Sequence, residues 1–250
     1  MKLDEALCRA LKSRPRLVVL SGAGMSAESG VPIFRGAGGL WEGFRPEDLA
    51  TPEAFATNPQ RVWRWYQWRG QKVSEAQPHK GHQWLARLES EAHLPSFHVV
   101  TQNVDRMHQR AGNNGVIELH GNIMTARCTL HCGFTMPSAD VPKEDFSCPC
   151  GKGMLRPEVV WFGEGLPEEA FSKAGQVLDE ASMVWVLGTS SVVYPAAALP
   201  GMAAQRGIPV VEINPEETPL SSQVPYSFRC LASEGIEALC QQIMGKENSL

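Results

Sequence analysis

The sequence predicts an α/β fold built on a parallel sheet with helices on both faces. Three observations carry this. Four short apolar runs, Arg16–Leu20, Phe97–Thr101, Met183–Leu187 and Pro209–Ile213, each lead into small polar residues. They are continuous rather than alternating, as strands buried on both faces are. Helical spacing recurs between and after them, the rhythm of strands joined by crossover helices. Two segments, 36–94 and 124–157, break that rhythm. The reading is a Rossmann-like domain of residues 1–35, 95–123 and 158–250, with the two inserts forming a smaller lobe.

Taken in order, Leu3, Ala6, Leu7, Ala10 and Leu11 sit at helical spacing and open the chain with an amphipathic helix. Arg16–Leu20 is the first strand, and it runs into the glycine turn Ser21-Gly22-Ala23-Gly24. Residues 36–94 hold helical stretches and no clear strand. Phe97–Thr101 is the second strand, leading into Gln102-Asn103-Val104-Asp105. Residues 124–157 hold a cysteine cluster among Pro and Gly. Ala170, Ala174, Val177, Leu178 and Ala181 mark a helix before the third strand, which leads into Gly188-Thr189-Ser190. The helix Ala196–Arg206 precedes the fourth, which leads into Asn214-Pro215-Glu216. Ile236, Leu239, Cys240, Ile243 and Met244 mark a closing helix. Open parallel sheets bind ligands beyond the carboxyl ends of their strands. All four ends here are small, polar and rich in backbone N–H donors.

Composition narrows the partners. Of 250 residues, 43% are hydrophobic and 20% charged, which suits one large domain or one domain with an insert. A net charge of −4 gives no field to gather nucleic acid or anionic lipid. Apolar runs such as Val184–Leu187 are too short to span a bilayer. The stretch MKLDEALCRALKSRPR mixes charge with Leu and Ala, unlike a signal peptide. The expectation is a soluble, cytoplasmic protein with no membrane and no nucleic-acid partner. A zinc-finger nucleic-acid binder is disfavoured because residues 124–157 lack a basic cluster.

Several motifs carry chemistry. Gly22-Ala23-Gly24-Met25-Ser26-Ala27 follows a strand and matches G-x-G-x-x-A, which is either a plain glycine turn or a pyrophosphate cradle. Asn103 and Asp105 either cap the next helix or face a ligand. His120, in Glu118-Leu119-His120-Gly121-Asn122, is either structural or a proton acceptor where two lobes meet. Cys128-x3-Cys132 and Cys148-x-Cys150 form two close pairs, the pattern of a structural four-thiolate zinc site. Neither has the usual C-x2-C spacing, and His131 is an alternative ligand. Cys8, Cys230 and Cys240 read as buried filler. In Trp63-Arg64-Trp65-Tyr66-Gln67-Trp68-Arg69, the three Trp read as packing. Val62, Tyr66, Arg69 and Val73 share one helical face. Arg69 either snorkels or pairs with an acid, or it joins the Tyr66 hydroxyl in receiving a carboxylate.

In this order the motifs GAGMSAESGVPIFRG (22–36), TQNVDRMHQRAG (101–112), ELHGN (118–122), LRPEVVWFGE (155–164), GTSSVVYPA (188–196) and EINPEETPL (212–220) closely resemble the sirtuins. That family consists of NAD-dependent protein deacylases. The resemblance runs from about Leu17 to Leu239 and implies roles for matching residues. Gly22, Ala23, Gly24, Ser26, Ala27, Phe34, Arg35 and Trp41 would line the pyrophosphate and nicotinamide side of NAD. Gln102, Asn103, Val104 and Asp105 would hold the nicotinamide ribose and carboxamide. Gly188, Thr189 and Ser190 would meet phosphate and adenosine, Asn214, Pro215 and Glu216 the adenine ribose, and Ala232 the adenine. Val160, Trp161, Phe162 and Gly163, with Val192, Val193 and Tyr194, would sandwich an acyl-lysine peptide as an added strand.

The implied reaction moves the acyl group from lysine to ADP-ribose, with His120 as general base and Asn103 and Asp105 as catalytic partners. It releases nicotinamide, free lysine and O-acyl-ADP-ribose. Zinc, bound by Cys128, Cys132, Cys148 and Cys150, would be structural. Tyr66 and Arg69 resemble the Y-x-x-R signature of the sirtuins that remove succinyl and malonyl groups. Ile33 stands where many sirtuins carry Asp, as in that class. The rival readings are an NAD-dependent ADP-ribosyltransferase and a noncatalytic NAD- or zinc-binding interaction module.

Overall fold

A computed structural model of the chain describes residues 2–32 and 45–245. Its elements are α1 (Glu5–Lys12), β1 (Leu17–Ser21), α2 (Ala23–Ala27), α3 (Pro52–Thr57), α4 (Pro59–Glu75), α5 (Lys80–Glu91), β2 (Phe97–Thr101), α6 (Met107–Ala111) and β3 (Val116–Glu118). There follow β4 (Gly121–Cys128), β5 (Thr135–Pro137), β6 (Leu155–Val159), α7 (Glu168–Glu180), β7 (Met183–Leu187), α8 (Ala198–Gln205), β8 (Val210–Ile213), β9 (Tyr226–Phe228) and α9 (Ala232–Met244).

A six-stranded sheet runs β3-β2-β1-β7-β8-β9, and every neighbouring pair is parallel. This is the Rossmann-like α/β architecture expected from the continuous apolar runs. Successive residues of β1 face opposite layers, as the pleat requires. Leu17 and Val19 join the core under α1, α5 and α9. Val18 and Leu20 join the core under α7 and α8. Both faces of β1 and β7 are buried, so these central strands need no polar face.

A second, antiparallel sheet runs β5-β4-β6 and packs with α3 and α4 around its own core of Phe55, Trp63, Trp65, Ile123, Phe146 and Trp161. Asn58 starts α4 by accepting the Arg61 N–H at 2.9 Å, and Pro59 occupies its first turn. The Trp63 indole donates to the Leu155 carbonyl at 2.9 Å and its ring stacks on Phe146. α4 thereby holds the cysteine-bearing insert. Trp68 departs from the packing expected of it and is 45% exposed. It shares the outer face of α4 with Arg61, Arg64 and Lys72, three and four residues apart, all of them exposed. α5 lies within the 36–94 segment, yet Trp84, Leu85 and Leu88 pack it on the large sheet beside α9. Among the described residues, no helix is long and apolar enough to cross a membrane.

Candidate active site

The strand order reverses between β1 and β7, and such a switch point opens a crevice beyond the strand ends. The turns after those two strands interlock there. Gly22 N–H donates to the Leu187 carbonyl at 3.0 Å, and Gly24 N–H to the Gly188 carbonyl at 2.8 Å. A Cβ on Gly24 would lie 2.8 Å from the Gly188 oxygen. Gly188 itself has φ +57, and a Cβ there would lie 2.4 Å from the Met25 nitrogen. These glycines are therefore demanded by turn-to-turn contact, besides leaving the backbone bare toward the crevice.

The residues after β2 close this floor. Asn103 is buried, and its amide donates to the Gly22 carbonyl at 2.9 Å and to the Ser26 hydroxyl at 3.1 Å. Ser26 in turn donates to the Asp105 carboxylate at 2.7 Å, which also accepts the Met107 N–H at 2.9 Å. Burial raises the Asp105 pKa, and the Met107 N–H and Ser26 hydroxyl oppose that shift. Gln102 reaches across to the Thr189 hydroxyl at 3.3 Å. Asn214 donates to the Thr189 carbonyl at 2.9 Å, while Pro215 and Glu216 are exposed beside it. Ala23 and Val104 are half-buried, and Ala27 and Ser190 are exposed. Ala232 begins α9 with its side chain in the core of the large sheet. Phe34, Arg35 and Trp41, with Ile33, lie outside the described residues.

His120 lies between β3 and β4, one residue before Gly121. Its Nδ1–H donates to the Gln102 carbonyl at 2.9 Å, which leaves Nε2 with a free lone pair. Burial lowers its pKa, and the Gln102 carbonyl partly offsets this. The ring is thus held neutral, oriented on the carbonyl that precedes Asn103, and able to accept a proton.

Tyr66 and Arg69 are both buried, on the inner face of α4 as their spacing predicts. The Arg69 guanidinium lies 4.7 Å from the Trp65 ring centroid and 5.5 Å from that of Tyr66. Burial lowers the Arg69 pKa, against the pull of Tyr66 and Asp105. Val160 N–H donates to the His120 carbonyl at 2.9 Å, which ties the segment after β6 to His120. Trp161 is buried, whereas Phe162, Val192, Val193 and Tyr194 expose apolar surface and Gly163 takes φ +88.

The four sulfurs of Cys128, Cys132, Cys148 and Cys150 all lie within 4.8 Å of one another. Two of the separations are 3.8 and 3.7 Å. Tetrahedral Zn–S bonds of about 2.3 Å set sulfurs ~3.8 Å apart, so the set fits a structural zinc ion despite its spacing in sequence. The Lys152 and Gly153 N–H groups, with the Cys148 sulfur, help pull the Cys150 thiol down to about 6, toward the thiolate a metal needs. His131 is not part of the set and instead meets Arg127 at 3.1 Å.

Two features escape a reading of the sequence. The Ser191 hydroxyl is buried without a partner among the described residues, in a hollow it shares with Gln102 and Thr189. Beneath the floor, the rings of His79, His82 and His108 pack edge to face, and His108 bonds Ser21 at 2.9 Å. Burial pushes the His108 pKa down to about 3, so that ring stays neutral. His79 and His82 stand three apart at the start of α5, but no spacing rule brings His108 of α6 to them.

Comparison with known proteins matches residues 22–195 to the Sir2 family. An NAD-dependent protein deacylase of Aquifex aeolicus is 49% identical over 238 residues, covering 93% of this chain and 97% of that one. A crystal structure of a Sir2 homologue in complex with NAD superposes with a TM-score of 0.87 at 45% identity, over 97% and 94% of the two chains. A Sir2 structure with a deacetylated p53 peptide and 3′-O-acetyl ADP-ribose superposes at 0.84 and 33% identity, over 99% of each chain. A match of this extent, on a crevice of this build, means that the chain belongs to the Sir2 family.

Proposed function

We propose that the protein is an NAD-dependent protein-lysine deacylase that favours acidic acyl groups, succinyl and malonyl, while also accepting acetyl. The observation that carries the deacylase reading is His120: its Nδ1 is tied to the Gln102 carbonyl, next in sequence to Asn103, and its Nε2 is left to accept a proton. NAD, when bound at the switch point, supplies the ADP-ribosyl acceptor and the nicotinamide leaving group. Gly22, Gly24, Gly188 and Thr189 would receive its phosphates, Gln102, Asn103 and Asp105 its nicotinamide side, and Asn214, Pro215 and Glu216 its adenosine ribose. Ser191 adds a hydroxyl in search of a partner. The exposed apolar residues Phe162, Val192, Val193 and Tyr194 suit a peptide added as a strand. Burial of the Tyr66/Arg69 pair supports the acidic preference, because a fixed cation in a water-poor site discriminates strongly for a carboxylate.

We take residues 1–35, 95–123 and 158–250 as the large domain. The rest forms the small lobe, except α5, which packs with the large sheet. Zinc held by the four cysteines would take no chemical part. A reducing, cytoplasmic setting suits seven unbridged cysteines.

Arg69→Met, assayed on succinyl- and acetyl-lysine forms of one peptide, tests the acyl preference. Losing one charged hydrogen-bond partner costs about 2 kcal/mol, so kcat/KM for succinyl falls ~30-fold more than for acetyl. Equal losses would make Arg69 structural. Stable ADP-ribose on acceptor proteins without O-acyl-ADP-ribose would favour the transferase reading instead.

A further inference from the structure

The Tyr66 hydroxyl has a neighbour that spacing along α4 does not reveal. The Trp161 indole N–H, 95 positions away, donates to it at 3.0 Å. The Arg69 guanidinium lies one turn along α4, 5.5 Å from the centre of the Tyr66 ring. A phenol oxygen that accepts from this indole still has its own hydrogen to give. Among the described residues, no acceptor takes that hydrogen.

Trp161 is itself held on several sides. Its backbone N–H donates to the Glu164 carboxylate at 2.8 Å. Glu164 is paired with Arg156 at 2.5 Å, and the Arg156 guanidinium lies 3.4 Å from the centre of the Trp161 ring. Phe55 packs against the ring with centroids 5.3 Å apart. The indole is thus locked by a partly buried ion pair, a cation–π contact and an aromatic contact, and its polar edge is aimed at one atom.

We propose that Trp161 is a positioning residue for acyl selection: its indole N–H fixes the Tyr66 hydroxyl as an acceptor and so turns the phenol hydrogen toward the terminal carboxylate of an acidic acyl-lysine. The inference rests on the acidic-acyl reading above and adds the residue that orients its donor. The orientation is useful only when the acyl group ends in an acceptor. The methyl of an acetyl group gives that hydrogen nothing to bind.

The test compares Tyr66→Phe, Trp161→Phe and the double variant on succinyl- and acetyl-lysine forms of one peptide. The readout is the succinyl-to-acetyl ratio of kcat/KM, in which the folded fraction of each preparation cancels. Tyr66→Phe lowers the ratio about tenfold, and Trp161→Phe about fivefold, chiefly through the succinyl KM. The double variant falls no further than Tyr66→Phe alone, because Trp161 acts through that hydroxyl. Benzothienylalanine at position 161 keeps the fused ring, removes only the N–H, and gives the same fall if Trp161→Phe fails to fold. An unchanged ratio in the position-161 variants, or losses that multiply in the double variant, overturns the role of Trp161. An unchanged ratio in Tyr66→Phe removes the acidic-acyl reading itself, and this inference with it.

Discussion

The loop that carries Asn214, Pro215 and Glu216 hangs on one buried carboxylate. Glu212, at the core of β8, is 0% exposed. Its Oε2 accepts from Ser221 at 2.7 Å, Ser227 at 2.5 Å and Arg229 at 2.9 Å, and its Oε1 accepts from Thr218. Arg229 then donates to the carbonyls of Asn214 and Glu216 at 2.7 and 2.8 Å. Glu212→Gln keeps the shape and removes the charge. Thr218 can rotate to accept from the new amide, but Arg229 loses its counter-ion. Taking the charge off a buried carboxylate that accepts four hydrogen bonds costs about 2–3 kcal/mol. For a chain of this size that is a fall of ~5–10 °C in melting temperature. NAD KM rises as well, because Arg229 no longer holds the two carbonyls, while the peptide KM does not change. Thermal unfolding and steady-state kinetics on both substrates measure these effects. The sign with pH is fixed too. Burial pushes the Glu212 pKa up, but the donors from Ser227, Thr218, Arg229 and Ser221 outweigh it and hold it below the ordinary value. The stabilisation is therefore fully present above the unfolded carboxyl range of about 4.3 and is lost as pH falls through the lower folded value. The gap in melting temperature between the two proteins narrows only on that acid side. A Gln variant with unaltered melting temperature and unaltered NAD KM would refute the latch.

Two further outcomes follow. Because burial lowers the His120 pKa, Nε2 stays free of its proton below the ordinary histidine value, and the acid limb of the pH profile of kcat/KM has its midpoint below about 6.5; a midpoint above that value contradicts the assignment, and His120→Tyr abolishes turnover. A strong chelator releases zinc from the four cysteines and strips hydrogen-exchange protection from β4, β5 and β6 while β1, β2 and β7 keep theirs; a metal-free protein with a protected small sheet would refute the staple.

Legibility in the sequence tracked how local each signal is. The strands β1, β2, β7 and β8 were readable because burial on both faces leaves unbroken apolar runs. The edge strands β3 and β9 span three residues each, too short for any period to show. β4 hid for another reason: its pairing with β6 shifts register between Gly121 and Ala126, so its side chains do not alternate cleanly. The helical character of α5 was local and readable, but its docking partner α9 lies about 150 positions further on. The same limit applies at the site. Tyr66 and Arg69 share a helix face and announce each other, whereas Trp161 meets Tyr66 only through the fold.

The small sheet also explains why a metal remote from the crevice matters to it. β4 begins one residue after His120 and ends at Cys128. β6 begins five residues after Cys150 and leads into Val160 and Trp161. The four thiolates therefore clamp one end of a paired ribbon whose other end, about 20 Å away at 3.3 Å per residue, carries His120 and Trp161. His120 is gripped by both sheets, its ring by the Gln102 carbonyl after β2 and its backbone carbonyl by the Val160 N–H after β6. A slip of that ribbon would move Nε2 relative to Asn103 and Asp105 with every contacting residue intact. On this reasoning the cysteines contribute by holding register, and their loss acts on the rate through His120 and on acyl preference through Trp161.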